Sequence, residues 1–314
     1  MAEKNLRNTV ILAKVETTYG TDANPGATDA VLCGIPDYGF SPDKRERNFV
    51  RTSLSPLGFA VGAKRQTITI PCELKGAGPD GSDAKKAGQL DSLFQMCGMA
   101  SSAVTGPPAY RKYVPTTKDP KSGTIYYYLD GILYKLLGTI GTFQAEFVAD
   151  GYASVNFQMT GLHSAPSDTA VISVTAWEEH MPPPCLSIGL TVGSYTPTGV
   201  ERITVDLGAT ISEKKDMQNT SGLSKLLTTA RAPKVTVEMD MDSLAKFNPF
   251  NYLSSNTLTN LSWSIGSSTG NIVSVSVPEA QLEDIKVTNR DGRGVYSVTF
   301  LCTGEDDEIE IQTK

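Results

Sequence analysis

The sequence is poor in the side chains that most chemistry uses. It holds two histidines and five cysteines in 314 residues. Cys33, Cys72, Cys97, Cys185 and Cys302 are odd in number and separated by long, unequal gaps, so neither a disulfide framework nor a CxxC metal knuckle is predicted. A reducing compartment follows most simply. His163 and His180 have no carboxylate, serine or cysteine at a spacing that makes a triad or a metal cage, and both are read as exposed loop residues. No P-loop and no GxGxxG occurs, which leaves phosphate cradling without support. No cofactor, metal or catalytic residue is expected.

Positive charge is also scarce. Lys plus Arg is 28 against 34 for Asp plus Glu, a net charge of -6, opposite in sign to the footprint of a protein that grips a phosphate backbone. Most of the acidity lies after residue 180, ending in Glu305–Glu308 and Glu310, read as a solvated end. No apolar run approaches the ~20 residues that cross a bilayer, and Met1–Asn5 does not open a signal peptide. Synthesis in a cytoplasm and no membrane insertion are expected.

What is present is β-forming. Twenty-eight glycines and 18 prolines punctuate stretches rich in Val, Thr and Ser. Alternation predicts strands at 67–70, 124–129, 153–159, 170–174, 202–207, 234–239, 272–277 and 295–302. Two short helices are predicted, at 89–97 and 243–253, the second shortened or kinked by Pro249. The fold class is mainly β.

The halves resemble each other. Ser154-Val155-Asn156-Phe157-Gln158-Met159-Thr160-Gly161 returns as Ser297-Val298-Thr299-Phe300-Leu301-Cys302-Thr303-Gly304. Upstream, Ser41 to Lys44 answers Ser212 to Lys215, and Ile68-Thr69-Ile70 answers Val235-Thr236-Val237, each followed by one helix. The first copy is longer, and the Gly-Pro-rich stretch from Gly76 to Gly123 is the natural place for the excess. Between the copies, Pro182-Pro183-Pro184 suits a semi-rigid connector. The expected plan is an arm over 1–34, a first β domain over 35–177, a linker over 178–185 and a second β domain over 186–314, each domain with one short helix.

Other motifs have plain structural readings. Gly266-Ser267-Ser268-Thr269-Gly270 matches GxSxG, but strands are predicted on both sides, so it reads as a hairpin loop and not as a nucleophile elbow. Asp240 and Asp242, and the loop Asp80-Gly81-Ser82-Asp83, lack calcium-ligand spacing. Tyr126-Tyr127-Tyr128 with Tyr134 could stack sugars or bases, but aromatic cross-strand pairing in a sheet explains them more cheaply.

The segment Val10 to Pro25, with its Ala13-Lys14-Val15-Glu16-Thr17-Thr18-Tyr19-Gly20-Thr21-Asp22 run, resembles the amino-terminal arm of major tail tube proteins of long-tailed bacteriophages, most closely those of sheathless tails. The resemblance implies tandem β-sandwich units whose inward sheets join around a channel. Single-domain members form rings of six chains, so two units per chain imply a trimer with pseudo-sixfold symmetry. It also implies partners: other copies of the chain in stacked rings, a tape-measure protein, tail completion and initiator proteins, and double-stranded DNA that passes without specific binding. The location implied is the virion tail. Contacts between subunits and rings fall, by resemblance, on Val15, Glu16, Thr17, Thr18, Tyr19 and Asp22 of the arm. Others fall on Arg45, Arg47, Phe49, Arg51, Leu54 and Phe59 of a first loop, and on Met217, Leu223 and Leu226 of its counterpart. Ring closure suits the physics, because it covers open sheet edges that invite unwanted pairing. A binding module, an adhesin using the tyrosine cluster, is the alternative.

Overall fold

A computed structural model describes residues 3–78, 86–175 and 177–314. The loop Asp80–Asp83 lies outside the described residues. The first half contains β1 (Thr9–Val15), β2 (Ala30–Val31), β3 (Asp37–Arg45), β4 (Ala60–Glu73), helix α1 (Asp91–Met96), β5 (Met99–Val104), β6 (Tyr110–Pro115), β7 (Gly123–Leu129), β8 (Ile132–Val148), β9 (Ser154–His163) and β10 (Ser167–Asp168). The second contains β11 (Thr191–Val192), β12 (Arg202–Asp206), β13 (Ala209–Lys215), β14 (Leu223–Arg231), β15 (Lys234–Asp240), helix α2 (Pro249–Ser255), β16 (Leu258–Ile265), β17 (Val273–Arg290), β18 (Arg293–Thr303) and β19 (Glu310–Thr313). The molecule is mainly β.

One pairing order serves both halves. In the first, an inner sheet runs β3-β4-β9-β8, and β8 passes through a register shift near Leu137–Ile140 into an outer sheet with β7 and β1. In the second, β12-β15-β18-β17 repeats the inner sheet, and β17 continues into β16 and β11. Long strands bend this way because a bulge increases local twist. Phe157 sits opposite Phe143 and Ile70, and Phe300 opposite Leu282 and Val235. Ile70, and not Ile68, therefore answers Val235, two residues from the letter match. The excess length of the first half is the β5–β6 hairpin with its loops, inserted between α1 and β7.

Alternation explains the core. Ile68, Ile70 and Cys72 of β4, Val155, Phe157 and Met159 of β9, and Val235, Val237 and Met239 of β15 are buried, while the intervening residues face away from the core. Each large apolar side chain buried this way contributes about 1.5–3 kcal/mol. Two-residue Asp-Gly turns, Asp130-Gly131 and Asp291-Gly292, close the β7–β8 and β17–β18 hairpins with both residues at positive φ, the geometry that matches strand twist.

Several expectations need correction. Thr9–Val15 is not free arm: it pairs along its length with β7, and Ile11 and Leu12 are buried. The apolar alternation of 170–174 forms no strand. It is an extended strap whose Val171, Ile172 and Val174, with Trp177, cover Val10, Leu12, Tyr126, Tyr128 and Leu133 on the outer face of the β1–β7 sheet. Pro249 does not kink a helix; it occupies the first turn of α2, where its missing N–H costs nothing, and Asn248 caps from outside. The histidines are half-buried and bonded, His163 Nδ1 to Gln66 Nε2 at 2.9 Å and His180 Nε2 to the Gly76 carbonyl at 3.1 Å, and desolvation holds both pKa values below the usual range.

Two ladders join the halves. In the inner sheet β12 pairs with β8 from Arg202↔Val148 to Asp206↔Gln144. In the outer layer β19 lies between β17 and β6. Lys75 Nζ, buried, fastens the connector by donating to the carbonyls of Glu178 and His180 at 2.8 and 3.0 Å.

Candidate assembly surfaces

The arm residues beyond β1 are folded into the chain. Glu16 is buried, and its carboxylate accepts hydrogen bonds from Ser122 Oγ, Thr124 Oγ1 and the amides of Gly20 and Gly138, each at 2.8 Å. A buried carboxylate is tolerated when every lone pair is engaged in this way. Val15 pairs with Gly123 at the end of β1. Tyr19 Oη accepts the Leu226 amide at 2.7 Å, and Lys225 Nζ lies 5.1 Å from its ring centre. Desolvation pushes the Tyr19 phenol up to about 12, although the Leu226 hydrogen bond acts in the opposite direction. Asp22 is partly buried, which opposes its charge, but the Tyr126 hydroxyl at 2.6 Å and Lys135 Nζ at 2.9 Å outweigh this and hold its carboxyl below the usual range.

Leu223 and Leu226 are also interior. They form a small cluster with Ala63 and Ile140, backed by Leu162 and Ile211, where the β13–β14 hairpin leans on the first half. The Lys64 amide donates to the Ser221 carbonyl at 2.8 Å, and Arg65 bridges Asp43 and Glu213 at 2.9 and 3.1 Å. Of the fifteen contact positions expected from resemblance, Val15, Glu16, Tyr19, Asp22, Leu223 and Leu226 thus have partners within one chain. What the sequence could not display is that the arm clamps the second hairpin onto the first half, because that contact joins residues about two hundred positions apart.

The remaining nine are solvent-facing. Thr17 and Thr18 are exposed, as are Arg45, Arg47, Phe49, Arg51, Leu54 and Phe59, all on or beside the loop joining β3 to β4. Met217 occupies the same place in the loop between β13 and β14 and is fully exposed. The first loop is organised locally: Lys44 sits 5.1 Å from the Phe59 ring centre and Arg47 5.9 Å from that of Phe49, while Arg51 donates to the carbonyls of Ser55 and Pro56. Exposed apolar side chains concentrated at one end of a molecule mark a contact surface.

A second surface is the uncovered face of the inner sheet, which runs unbroken through β3-β4-β9-β8-β12-β15-β18-β17. Its side chains are those that alternate with the core, such as Thr142, Gln144, Asn156, Gln158, Thr204, Thr236 and Thr299. Across its middle Glu146, Asp206, Glu238, Glu283 and Asp284 stand with Arg202, Lys234, Lys286 and Arg290, and each of these bases is paired to one of the acids: Arg202 to Glu146 at 3.2 Å, Lys234 to Glu283 at 2.8 Å, Lys286 to Asp284 at 3.3 Å and Arg290 to Glu238 at 2.6 Å.

No group of three or more His, Cys, Asp or Glu placed to hold a metal ion occurs among the described residues. Gly266–Gly270 is the loop of the β16–β17 hairpin, as its flanking strands require. The tyrosines do not form an exposed sugar platform: Tyr127 packs on Tyr134 and Tyr38 in the core, and Tyr126 and Tyr128 lie beneath the strap. No helix among the described residues is long and apolar enough to cross a membrane.

A pairing order repeated in both halves, a polar sheet face and a projecting hairpin with exposed apolar residues give the chain surfaces for contact with other chains. A family model described as phage tail tube protein matches residues 7–303, nearly the whole chain. No curated protein matches the sequence. The chain belongs to the phage tail tube protein family, a family of structural components of the virion tail that self-assemble into a tube.

Proposed function

We propose that three copies of this chain close a ring of six β units, taken as residues 35–177 and 186–314 joined by 178–185, with Thr9–Val15 added to the first unit. Rings stack into the hollow tail tube, which encloses a tape-measure protein during assembly in the bacterial cytoplasm and passes double-stranded DNA on ejection. Completion and initiator proteins meet its ends.

The observation that carries this reading is the junction inside the chain. There β12 extends the first inner sheet by pairing with residues 144–148 of β8. The corresponding stretch of β17, residues 284–290, pairs with β18 on one side and with no strand among the described residues on the other. Val287 there is 58% exposed. At the other end of the molecule, the segment before β3 that corresponds to β12 carries Ile35, 62% exposed. An edge of this kind is a template for another strand, and the chain itself shows which strand fits. Repeating the internal junction between copies closes a ring and leaves no inner edge open.

The uncovered polar face then lines the channel. The bases named on it are each paired to an acid of the same face, so they are not free to exchange for the counterions of the DNA backbone and the duplex is not held by counterion release. Hydroxyl and amide side chains offer hydrogen bonds without net charge.

Two measurements test the reading. End-on views of negatively stained wild-type protein at high concentration are expected to show hollow rings with threefold symmetry; a monodisperse monomer would remove the proposal. Val287 supplies the second. The Arg290↔Arg293 pair flanks the two-residue turn and is hydrogen-bonded, so bonded pairs alternate along β17 and the Val287 amide points to the free edge. Val287→Pro is expected to keep the monomer fold, by circular dichroism, and to abolish rings. Rings of normal abundance would show that this edge is not the closing one.

A further inference from the structure

We propose that head-to-tail stacking of the rings is set by opposite charge at the two ends of the chain: a basic, apolar pair of hairpin tips on one end and an acidic end on the other, each the partner of the same surface on a second copy. The inference rests on the ring reading above.

The strand registers define the two ends. From Arg65↔Leu162 to Glu73↔Ser154, and from Lys234↔Leu301 to Asp240↔Val295, the inner sheet runs between the hairpin tips and the turns at 149–153 and 291–292. Both hairpins, β3–β4 and β13–β14, project from the same end.

That end is positive although the molecule is not. Residues 44–61 carry four bases and one acid, and residues 214–225 carry three bases and one acid, in a chain of net charge -6. With these bases stand Phe49, Val50, Leu54 and Met217, all exposed.

The opposite end has the complementary character. Residues 238–242 hold three acids and no base, and Asp150 and Asp291 occupy exposed turn positions. The bases nearby are already committed: Arg290 to Glu201 and Glu238, each at 2.6 Å, Arg293 to Glu201 and Asp240, each at 3.6 Å, and Lys246 to Asp242 at 3.2 Å. The charge left at this end without an ion-pair partner among the described residues is that of Asp150 and Asp291. Exposed Tyr152 and Met241 lie beside these acids and provide apolar surface for the tips.

Unlike ends attract and like ends repel, so the charge admits only one polarity of stacking, and a heterologous contact of this kind builds a filament instead of a closed dimer. The apolar residues supply contact area, and the charges supply direction and encounter rate.

The test uses Arg45→Glu/Arg47→Glu, which reverses the first tip but leaves the acidic end intact. Alone, this variant is expected to form rings that do not elongate. Mixed with wild-type chains at one in ten, it is expected to add to exposed wild-type tips, block further growth, and shorten mean tube length by about threefold or more, something an unfolded variant does not do. Asp150→Asn/Asp291→Asn, which keeps residues suited to positive φ, is expected to lower the salt concentration at which wild-type tubes fall apart into rings. Tubes of the first variant as long as wild type, with wild-type length indifferent to salt between about 0.05 and about 0.5 M, would overturn the charge assignment and leave the tube reading standing. Wild-type rings that never stack would remove the tube reading and the charge assignment with it.

Discussion

The two halves share a pairing order and differ at their hairpins. In the first, β4 runs without interruption from Ala60 to Glu73. In the second, the same path is divided into β14 and β15 by Ala232-Pro233, and its partner is divided into β12 and β13 around Leu207-Gly208. Gly208 has φ +59, and a Cβ there would lie 2.5 Å from the Ala232 carbonyl oxygen, so the divided path depends on glycine. The break lets β13–β14 separate from the inner sheet and lie against Ala63 and Ile140 of the first half. The unbroken hairpin keeps the longer loop and its exposed aromatics. One framework thus yields an element used within the chain and a second left for a neighbour.

The largest effect that would sharpen this comparison concerns the shared phenylalanines. Phe157 and Phe300 occupy matching sites with no exposure. Phe157→Ala and Phe300→Ala are each expected to cost about 3–5 kcal/mol in urea titrations followed by tryptophan fluorescence and circular dichroism. Because β12–β8 and β19–β6 tie the halves together, each variant should unfold in one transition with both probes coincident. Two separated transitions would mean that the halves are independent in stability.

Glu16 comes next. Glu16→Ala leaves the Ser122 and Thr124 hydroxyls and the Gly20 and Gly138 amides without their acceptor, so a loss of about 2–3 kcal/mol is expected, measured by the same titration. Among the described residues β11, the first strand of the second half, has no comparable carboxylate clamp, and a negligible effect of Glu16→Ala would show that the arm contributes nothing beyond β1.

The smallest effect is a pH dependence at Asp306 of the second half, where it meets Thr117 of the first. Asp306 accepts from the Thr117 hydroxyl at 2.6 Å and pairs with Arg231, which lowers its carboxyl from 3.8 to about 2. A depressed carboxylate stabilises the fold above its unfolded pKa, and that contribution is lost as pH falls from about 4 through 2. Asp306→Asn is expected to lower Tm slightly at pH 7, with the difference from wild type vanishing near pH 2. A constant difference across that range would assign the effect to shape and not to charge.

The β-rich class, seven of the nineteen strands among the described residues (β4, β7, β9, β12, β15, β17 and β18), the place of α1, the last part of the range expected for α2 and the repeated Ser-Val-x-Phe-x-x-Thr-Gly segment are legible because period-two alternation in a half-buried sheet is local information. Thr9–Val15 is a strand and not free arm, and its letters carry that signal: Val10-Ile11-Leu12-Ala13 is a continuous apolar run, the pattern of a strand covered on both faces. The strap at 170–174 has the letters of a strand, yet it lies across the outer face of the β1–β7 sheet over Val10, Leu12 and Tyr126 instead of pairing with an edge, which only packing reveals. The site divides along the same line. Arg45 to Phe59 was legible as a loop, since no periodicity organises it. Leu223 and Leu226 look the same in sequence as any exposed hairpin leucine, and only the approach of Ala63 and Ile140 buries them.

By itself the sequence determined the repeated β unit, the apolar face of each strand and a net charge unsuited to holding DNA, because each depends on side-chain order or on a sum over side chains. The tertiary structure alone decided which edges stay open, which hairpin is spent inside the chain and how charge divides between its ends. Those properties arise from contacts between residues far apart in the chain, and the order of letters does not carry such contacts directly.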